Sequence, residues 1–112
     1  MDSYLANFLY DITKVGAQYD REVQGHAGYI INDPLTIAYL VDETILQLKD
    51  CHVEIVTEGE QIGRSIVTEV IDPEKINAKF AYGVNVKEFY RILFTRLFPQ
   101  KQEEIERIIN TL

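Results

Sequence analysis

The spacing of apolar residues changes twice along this sequence, and this change limits the possible folds more than any other feature. Near the N-terminus apolar residues recur every three or four positions, which predicts an amphipathic helix over residues 4–19. Apolar and polar residues then alternate over much of residues 51–82, a period typical of half-buried strands. From residue 86 onward the helical spacing returns. With a short apolar helix at 34–41, this order predicts an α+β fold of two helices, three strands and two further helices.

Three segments carry the strand pattern, at residues 51–58, 64–70 and 76–82. The first two are joined by a connection at 58–63 that contains two glycines and suits a hairpin with a longer loop. We therefore expect a short, at least partly antiparallel three-strand sheet with about four helices packed around it.

Capping residues locate the predicted helix starts. Ser3 or Asp2 can cap the first helix, and Asn85 begins a capping-box pattern with a glutamate three residues later. Asp33 precedes Pro34, and proline is favourable at the first helical position. We therefore expect Asp33 to accept hydrogen bonds from the first turn of the second helix.

With 112 residues the chain is long enough for one modest domain, and we treat residues 1–112 as a single domain. It carries 11 Lys and Arg against 18 Asp and Glu, which gives a net charge of −7. This acidic balance argues against binding to nucleic acid or to an anionic membrane, because both need clustered basic side chains. The sequence has no apolar run near the ~20 residues of a membrane span and no signal-peptide pattern. We therefore expect a soluble, cytoplasmic protein.

Few side chains in this sequence are suited to chemistry, and each also has a structural interpretation. Asp33, behind a glycine-rich loop, can ligate calcium at the edge of a pocket, although a simple helix cap explains the same pattern. Asn32 can hydrogen-bond a polar ligand or occupy a turn. His26 lies in the glycine loop, where contact with a ligand is one possibility. His52, on the polar face of a strand, is interpreted as a solvated surface residue, and Cys51 as an inert structural thiol.

The segment 25–42, GHAGYIINDPLTIAYLVD, resembles the C-terminal active-site segment of the inosine/uridine-preferring nucleoside hydrolases. In that family a glycine loop leads into a His-Asp-Pro-like step and an apolar Ala-Tyr-Leu helix. The resemblance continues in order through VEIVTEGE at 53–60, GRSIV at 63–67 and GVNVKEF at 83–89. The chain is therefore similar to the C-terminal part of the α/β nucleoside hydrolase fold.

The resemblance implies a specific chemistry. The family cleaves the N-glycosidic bond of ribonucleosides with a water held by Ca²⁺, and Asp33 matches the family's C-terminal metal-ligating aspartate. Asn32 stands at a catalytic position where many members carry a histidine that helps the base to leave. Tyr19, Arg21 and His26 lie where the family's substrate-binding helix end and loop contact the base.

Two departures from the family pattern limit this expectation. Asparagine cannot donate a proton near neutral pH as imidazole can, so a catalytic role of Asn32 in leaving-group activation is in question. The aspartate-rich motif that supplies the family's other metal ligands and its general base is absent from this sequence, whereas calcium takes six to eight oxygen ligands. We therefore expect a C-terminal fragment of a nucleoside hydrolase that is inactive alone. The alternative is a degenerate, non-catalytic domain that acts in protein–protein interaction.

The helix at 34–41 has too few polar positions for a surface helix, so it is expected to be buried on most sides. In a chain of this length some of its neighbours are expected to be missing, which leaves apolar surface exposed. The expected partners are a second copy of the chain or a complementary N-terminal part, together with a ribonucleoside in the completed enzyme.

Overall fold

The computed structural model describes residues 3–112, which form four α-helices and three strands. Single 3₁₀ turns precede β1, β3 and α4. The observed order confirms the predicted α+β fold of two helices, three strands and two helices. The bounds are α1 Tyr4–Glu22, α2 Asp33–Val41, β1 Leu46–Ile55, β2 Ser65–Glu69, β3 Ala78–Val84, α3 Val86–Leu97 and α4 Gln102–Ile109.

The sheet has the strand order β2-β1-β3 and is antiparallel on both sides of the central strand β1. Strand β1 begins at Leu46, five residues before the predicted start, because the alternation of apolar and polar residues already holds there. It ends at Ile55 because the hairpin loop closes directly after it. Val56 exchanges backbone hydrogen bonds with Arg64 and Gly63, at N–O distances of 2.9 and 2.7 Å.

The predicted helix caps are only partly confirmed. The Ser3 hydroxyl caps α1 by accepting a hydrogen bond from the Ala6 amide at 3.2 Å, whereas Asp2 lies outside the described residues. The Asn85 side chain caps α3 at 3.1 Å, but Glu88 pairs with Arg91 instead of completing the capping box.

The prediction that Asp33 caps α2 is wrong. The helix begins at Asp33 itself, and Asn32 occupies the capping position without a side-chain hydrogen bond. The physical reason is the backbone of Asn32, which already has helical angles (φ −102°, ψ −62°), whereas a capping side chain requires an extended backbone.

Two hydrophobic clusters share helix α3, and Tyr90 packs against both. The first joins α2, the start of β1 and α3, and its buried members are Ala38, Ile45, Phe89 and Ile92. The second joins α3 to α4 and to the N-terminal half of α1. Its buried members are Phe98, Ile105 and Ile109, with Leu5, Ala6 and Leu9 of α1 packed against them.

The chain is extended and exposes much apolar surface. Its radius of gyration is 17.8 Å, whereas a compact domain of this length has about 13 Å. Its accessible surface is 8742 Å², about 2,400 Å² more than a compact monomer of 13.0 kDa exposes.

The expectation that α2 is buried on most sides is wrong for this chain, since Ile37 is 61% and Leu40 is 76% exposed. The expected exposed apolar surface is confirmed. In the part of the chain that the structure describes, no helix is both long and apolar enough to cross a membrane.

The side chain of Arg91 links α3 to α4. Its guanidinium donates to both carboxylate oxygens of Glu106, with Nε–Oε1 at 2.7 Å and Nη2–Oε2 at 3.2 Å, and it also pairs with Glu88. The hydrogen bond from Arg91 holds the pKa of Glu106 below its usual value.

Replacing Glu106 by Gln should lower stability at neutral pH, because the neutral amide loses the charge-assisted hydrogen bonds to Arg91. Since the folded pKa of Glu106 is lowered, its stabilising contribution is present above the unfolded pKa of about 4.3 and is lost as the pH falls through the folded pKa. The urea midpoint of Glu106→Gln should lie below that of the parent at pH 7, and the gap between the two midpoints should narrow as the pH is lowered towards 3. Glu103→Gln, an exposed change on the same helix, is the control. A gap of constant size at both pH values would contradict the argument.

Candidate active-site segment

A cleft of about 480 Å³ opens between α1, α3 and the segment that leads into α2. Asn32 and Asp33 both line this cleft, and both are exposed. The structure therefore brings together two of the five residues that the sequence singled out. The wall contributed by the helices is mainly apolar, with Leu9 and Ile12 from α1 and Leu93, Phe94 and Leu97 from α3.

The carboxylate of Asp33 is unengaged. Among the residues that the structure describes, none donates a hydrogen bond to it and none forms an ion pair with it; the bond from the Thr36 hydroxyl, at 2.7 Å, goes to the backbone carbonyl of Asp33. It lies in the first turn of α2, at the positive end of the helix dipole. Both carboxylate oxygens are thus free to bind a ligand at the cleft.

The backbone and side chain of Asn32 have separate roles. Its carbonyl accepts the amide of Leu35 at 3.1 Å and so closes the turn into α2. Its side-chain amide makes no capping bond and lies at the cleft. The turn and ligand-contact interpretations of this residue are therefore compatible.

Asp20 is a positioning residue that the sequence analysis missed. It is the one charged residue buried among residues 3–112, at 8% exposure. One carboxylate oxygen accepts the amide of Ile30 at 2.8 Å, and its backbone carbonyl accepts the amide of His26 at 2.9 Å. These two bonds tie the glycine loop to the end of α1. An acidic residue in the last turn of a helix opposes the helix dipole, and that anomaly was the available signal.

A second contact holds the same loop against α1. A Cβ atom at Gly16 would lie 2.6 Å from the ring of Tyr29, so only glycine lets this ring lie against the helix. Gly25, with a φ of 72°, adopts the left-handed conformation that turns the chain back. The segment entering α2 is therefore fixed at two points before it reaches Asn32.

The three residues expected to contact the substrate lie at the other end of this loop. Tyr19 and Arg21 belong to the last turns of α1, and the backbone bond to Asp20 holds His26 near the same helix end. All three are exposed, and none lines the cleft that Asn32 and Asp33 share. Their substrate-binding role stays a prediction.

The described residues do not form a complete calcium site. No group of three or more His, Cys, Asp or Glu side chains within residues 3–112 is placed to hold a metal ion. Asp33 offers one carboxylate, whereas calcium takes six to eight oxygen ligands.

Comparison with solved structures shows the fold class to which this chain belongs. The purine-preferring ribonucleoside hydrolase from Gardnerella vaginalis matches with a TM-score of 0.70 and 24% sequence identity. The match covers 89% of this chain and 32% of that chain, so the present chain spans about a third of that relative. The fold is therefore that of a segment of a nucleoside hydrolase.

The sequence comparison identifies the family. The model of the inosine-uridine preferring nucleoside hydrolase family matches residues 1–91, and this chain belongs to that family. The resemblance seen in the sequence motifs is thereby confirmed. No curated protein sequence matches.

Replacing Asp20 by Ala should destabilise the chain by about 1–2 kcal/mol, because the Ile30 amide loses a hydrogen bond to a charged acceptor in a partly buried place. Amide hydrogen exchange at Ile30 should accelerate more than exchange in β1. Asp11→Ala is the matched control, since Asp11 lies on the same helix and forms only an exposed pair with Lys14. Equal effects of the two substitutions would show that Asp20 does not position the loop.

Proposed function

We propose that this chain is the C-terminal part of a ribonucleoside N-glycosidase and that it is active only together with a complementary part. The proposal rests above all on one observation: the unengaged carboxylate of Asp33 lies at an open cleft. The sequence resemblance assigns this residue to the family's metal-ligating aspartate. Family membership supports the same conclusion.

The proposed cofactor of the completed enzyme is Ca²⁺. Asp33 fits one ligand position, because a carboxylate is a preferred calcium ligand and both of its oxygens are free. The remaining ligands and the general base would come from the complementary part, since the described residues do not supply them.

The proposed docking surface for the complementary part is the exposed face of α2, formed by Ile37, Leu40 and Val41. A shallow apolar depression of about 290 Å³ lies beside this face, between α2 and α3. Pro34 lines both this depression and the cleft that holds Asp33. A partner seated on the α2 face would therefore reach the Asp33 carboxylate.

Asn32 sets a limit on the chemistry. Its amide can donate a hydrogen bond to a bound base, but it has no proton to transfer near neutral pH. We therefore infer that the completed enzyme depends on the intrinsic ability of the base to leave, unless the complementary part or another residue supplies a proton.

The exposed apolar surface also favours a second candidate function, that of a non-catalytic domain that binds another protein. If the chain assembles with its partner protein but the complex releases no ribose from any nucleoside, this second function is supported over the first.

The isolated chain should release no ribose from inosine or uridine, because most calcium ligands and the proton acceptor are absent. The purified chain is assayed for reducing sugar with calcium present and again with EDTA. Ribose release that EDTA abolishes, from the chain alone, would refute this expectation.

Asp33→Asn should lower the activity of a completed enzyme by orders of magnitude while leaving the fold intact. The complementary part is the portion of the G. vaginalis hydrolase outside the matched segment, or a natural adjacent product, coexpressed with this chain. Loss of the exposed charge at the start of α2 should change stability by only about 0.3–1 kcal/mol. Asp50→Asn, an exposed change in β1, is the control. Full activity of Asp33→Asn in an otherwise active complex would remove Asp33 from the metal site.

In the same complex, Asn32→His should raise turnover most for nucleosides whose bases leave poorly, because imidazole can donate a proton near neutral pH. An equal response for good and poor leaving bases would mean that base departure is assisted elsewhere.

A further inference from the structure

The apolar depression beside α2 and the cleft that holds Asp33 are two parts of one groove along helix α3. Pro34, Leu93 and Leu97 line both the depression and the cleft, so the two are continuous. We call this continuous surface the α3 groove. Helix α3 contributes to it the residues Ile92, Leu93, Phe94, Arg96 and Leu97.

The α3 groove carries one cation. Among the residues that the structure describes, Arg96 and Asp33 are the only charged residues that line the groove. They belong to different parts of it, because Arg96 lines the depression and Asp33 lines the cleft. No ion pair joins Arg96 to any described residue, and its guanidinium makes one long hydrogen bond, of 3.4 Å, to the carbonyl of Ile92.

This isolation matters because of where Arg96 lies. Arg91, on the same helix, has two carboxylate partners, Glu88 and Glu106. Arg96 has none, yet it borders a depression whose other walls are apolar. In the free chain water solvates its guanidinium while the stem covers apolar surface. An apolar element that filled the depression would remove part of this water, and a charge that loses water without gaining an opposite charge is unfavourable.

We propose that Arg96 recognises a carboxylate of the complementary part, at the edge of an apolar element that this part seats in the depression. The inference rests on the proposed function and adds the group that selects the partner. About two thirds of the G. vaginalis hydrolase lies outside the segment that this chain matches, and the occupant belongs to that portion. Its position beside Arg96 places it next to the cleft in which Asp33 lies.

The charge of the whole chain makes this recognition selective. With a net charge of −7 the chain repels acidic partners in general. Arg96 offers a carboxylate one favourable position, and that position adjoins the exposed apolar face of α2. A partner therefore needs both an apolar element and a carboxylate at the right place, and a match of charges of this kind contributes mainly to specificity.

Titration calorimetry without nucleoside measures association separately from activity. The full chain is titrated with the portion of the G. vaginalis hydrolase outside the matched segment. Arg96→Glu should raise the Kd at least about 100-fold, whereas Arg96→Lys, which keeps the charge, should raise it less than about tenfold. Arg107→Glu is the matched control, because Arg107 is also a basic residue in the last turn of its helix and lies outside the α3 groove. Circular dichroism establishes that each variant is folded.

The outcomes separate this inference from the proposed function. An unchanged Kd in Arg96→Glu, or an equal loss in Arg107→Glu, would overturn the inference, and release of ribose by that complex would leave the proposed function standing. Binding that Arg96→Glu abolishes, in a complex without activity, would support the inference and remove the enzymatic function. No association of the parent chain with the complementary part would overturn both. Self-association of the parent that Arg96→Glu abolishes would assign the groove to a second copy and overturn the inference.

Exchange of charges identifies the carboxylate. Each aspartate and glutamate of the complementary part is replaced in turn by lysine and titrated against Arg96→Glu. One replacement should restore binding at least about tenfold, and the same replacement should weaken binding of the parent chain. Restoration by none of them, or to a similar extent by many, would show that Arg96 forms no specific pair and would overturn the proposal.

Discussion

The aromatic face of α3 is the contact on which the rest of this structure depends. The ring of Tyr90 lies 5.2 Å from that of Phe89 and 5.6 Å from that of Phe94, measured between centroids. Phe89 belongs to the cluster with α2 and β1, and Phe94 packs on the cluster with α1 and α4. Because Tyr90 contacts both clusters, α3 connects the two halves of the molecule. The cleft with Asp33 lies where these two halves meet.

The order of the elements could be predicted because it depends on the period of apolar residues, which local sequence records directly. The α1 helix and the three strands are examples. The start of α2 could not be predicted as well, since the choice between Asn32 and Asp33 as capping residue depends on backbone angles that the preceding loop imposes. The role of Asp20 depends on a hydrogen bond to a residue ten positions away. Such a contact has no local pattern and becomes visible only in the folded chain.

The candidate site combines a rigid support with an incomplete set of functional groups. Asp20 and Gly16 fix the loop, so the position of Asp33 is determined before any ligand binds. A free carboxylate at an exposed helix start costs little stability, because water solvates it. For the proposed metal site, a carboxylate that is already in place lowers the cost of later assembly.

The cluster that seats α1 on α4 joins segments that lie far apart in sequence, and this has a consequence for the order of folding. Leu5 and Leu9 pack against Ile105 and Ile109, about a hundred residues further along. The strand pairs close much shorter loops, so the sheet can form while α1 still has no surface to bind. Helix α1 is thus expected to be seated late, and until then its apolar side chains are open to chaperones.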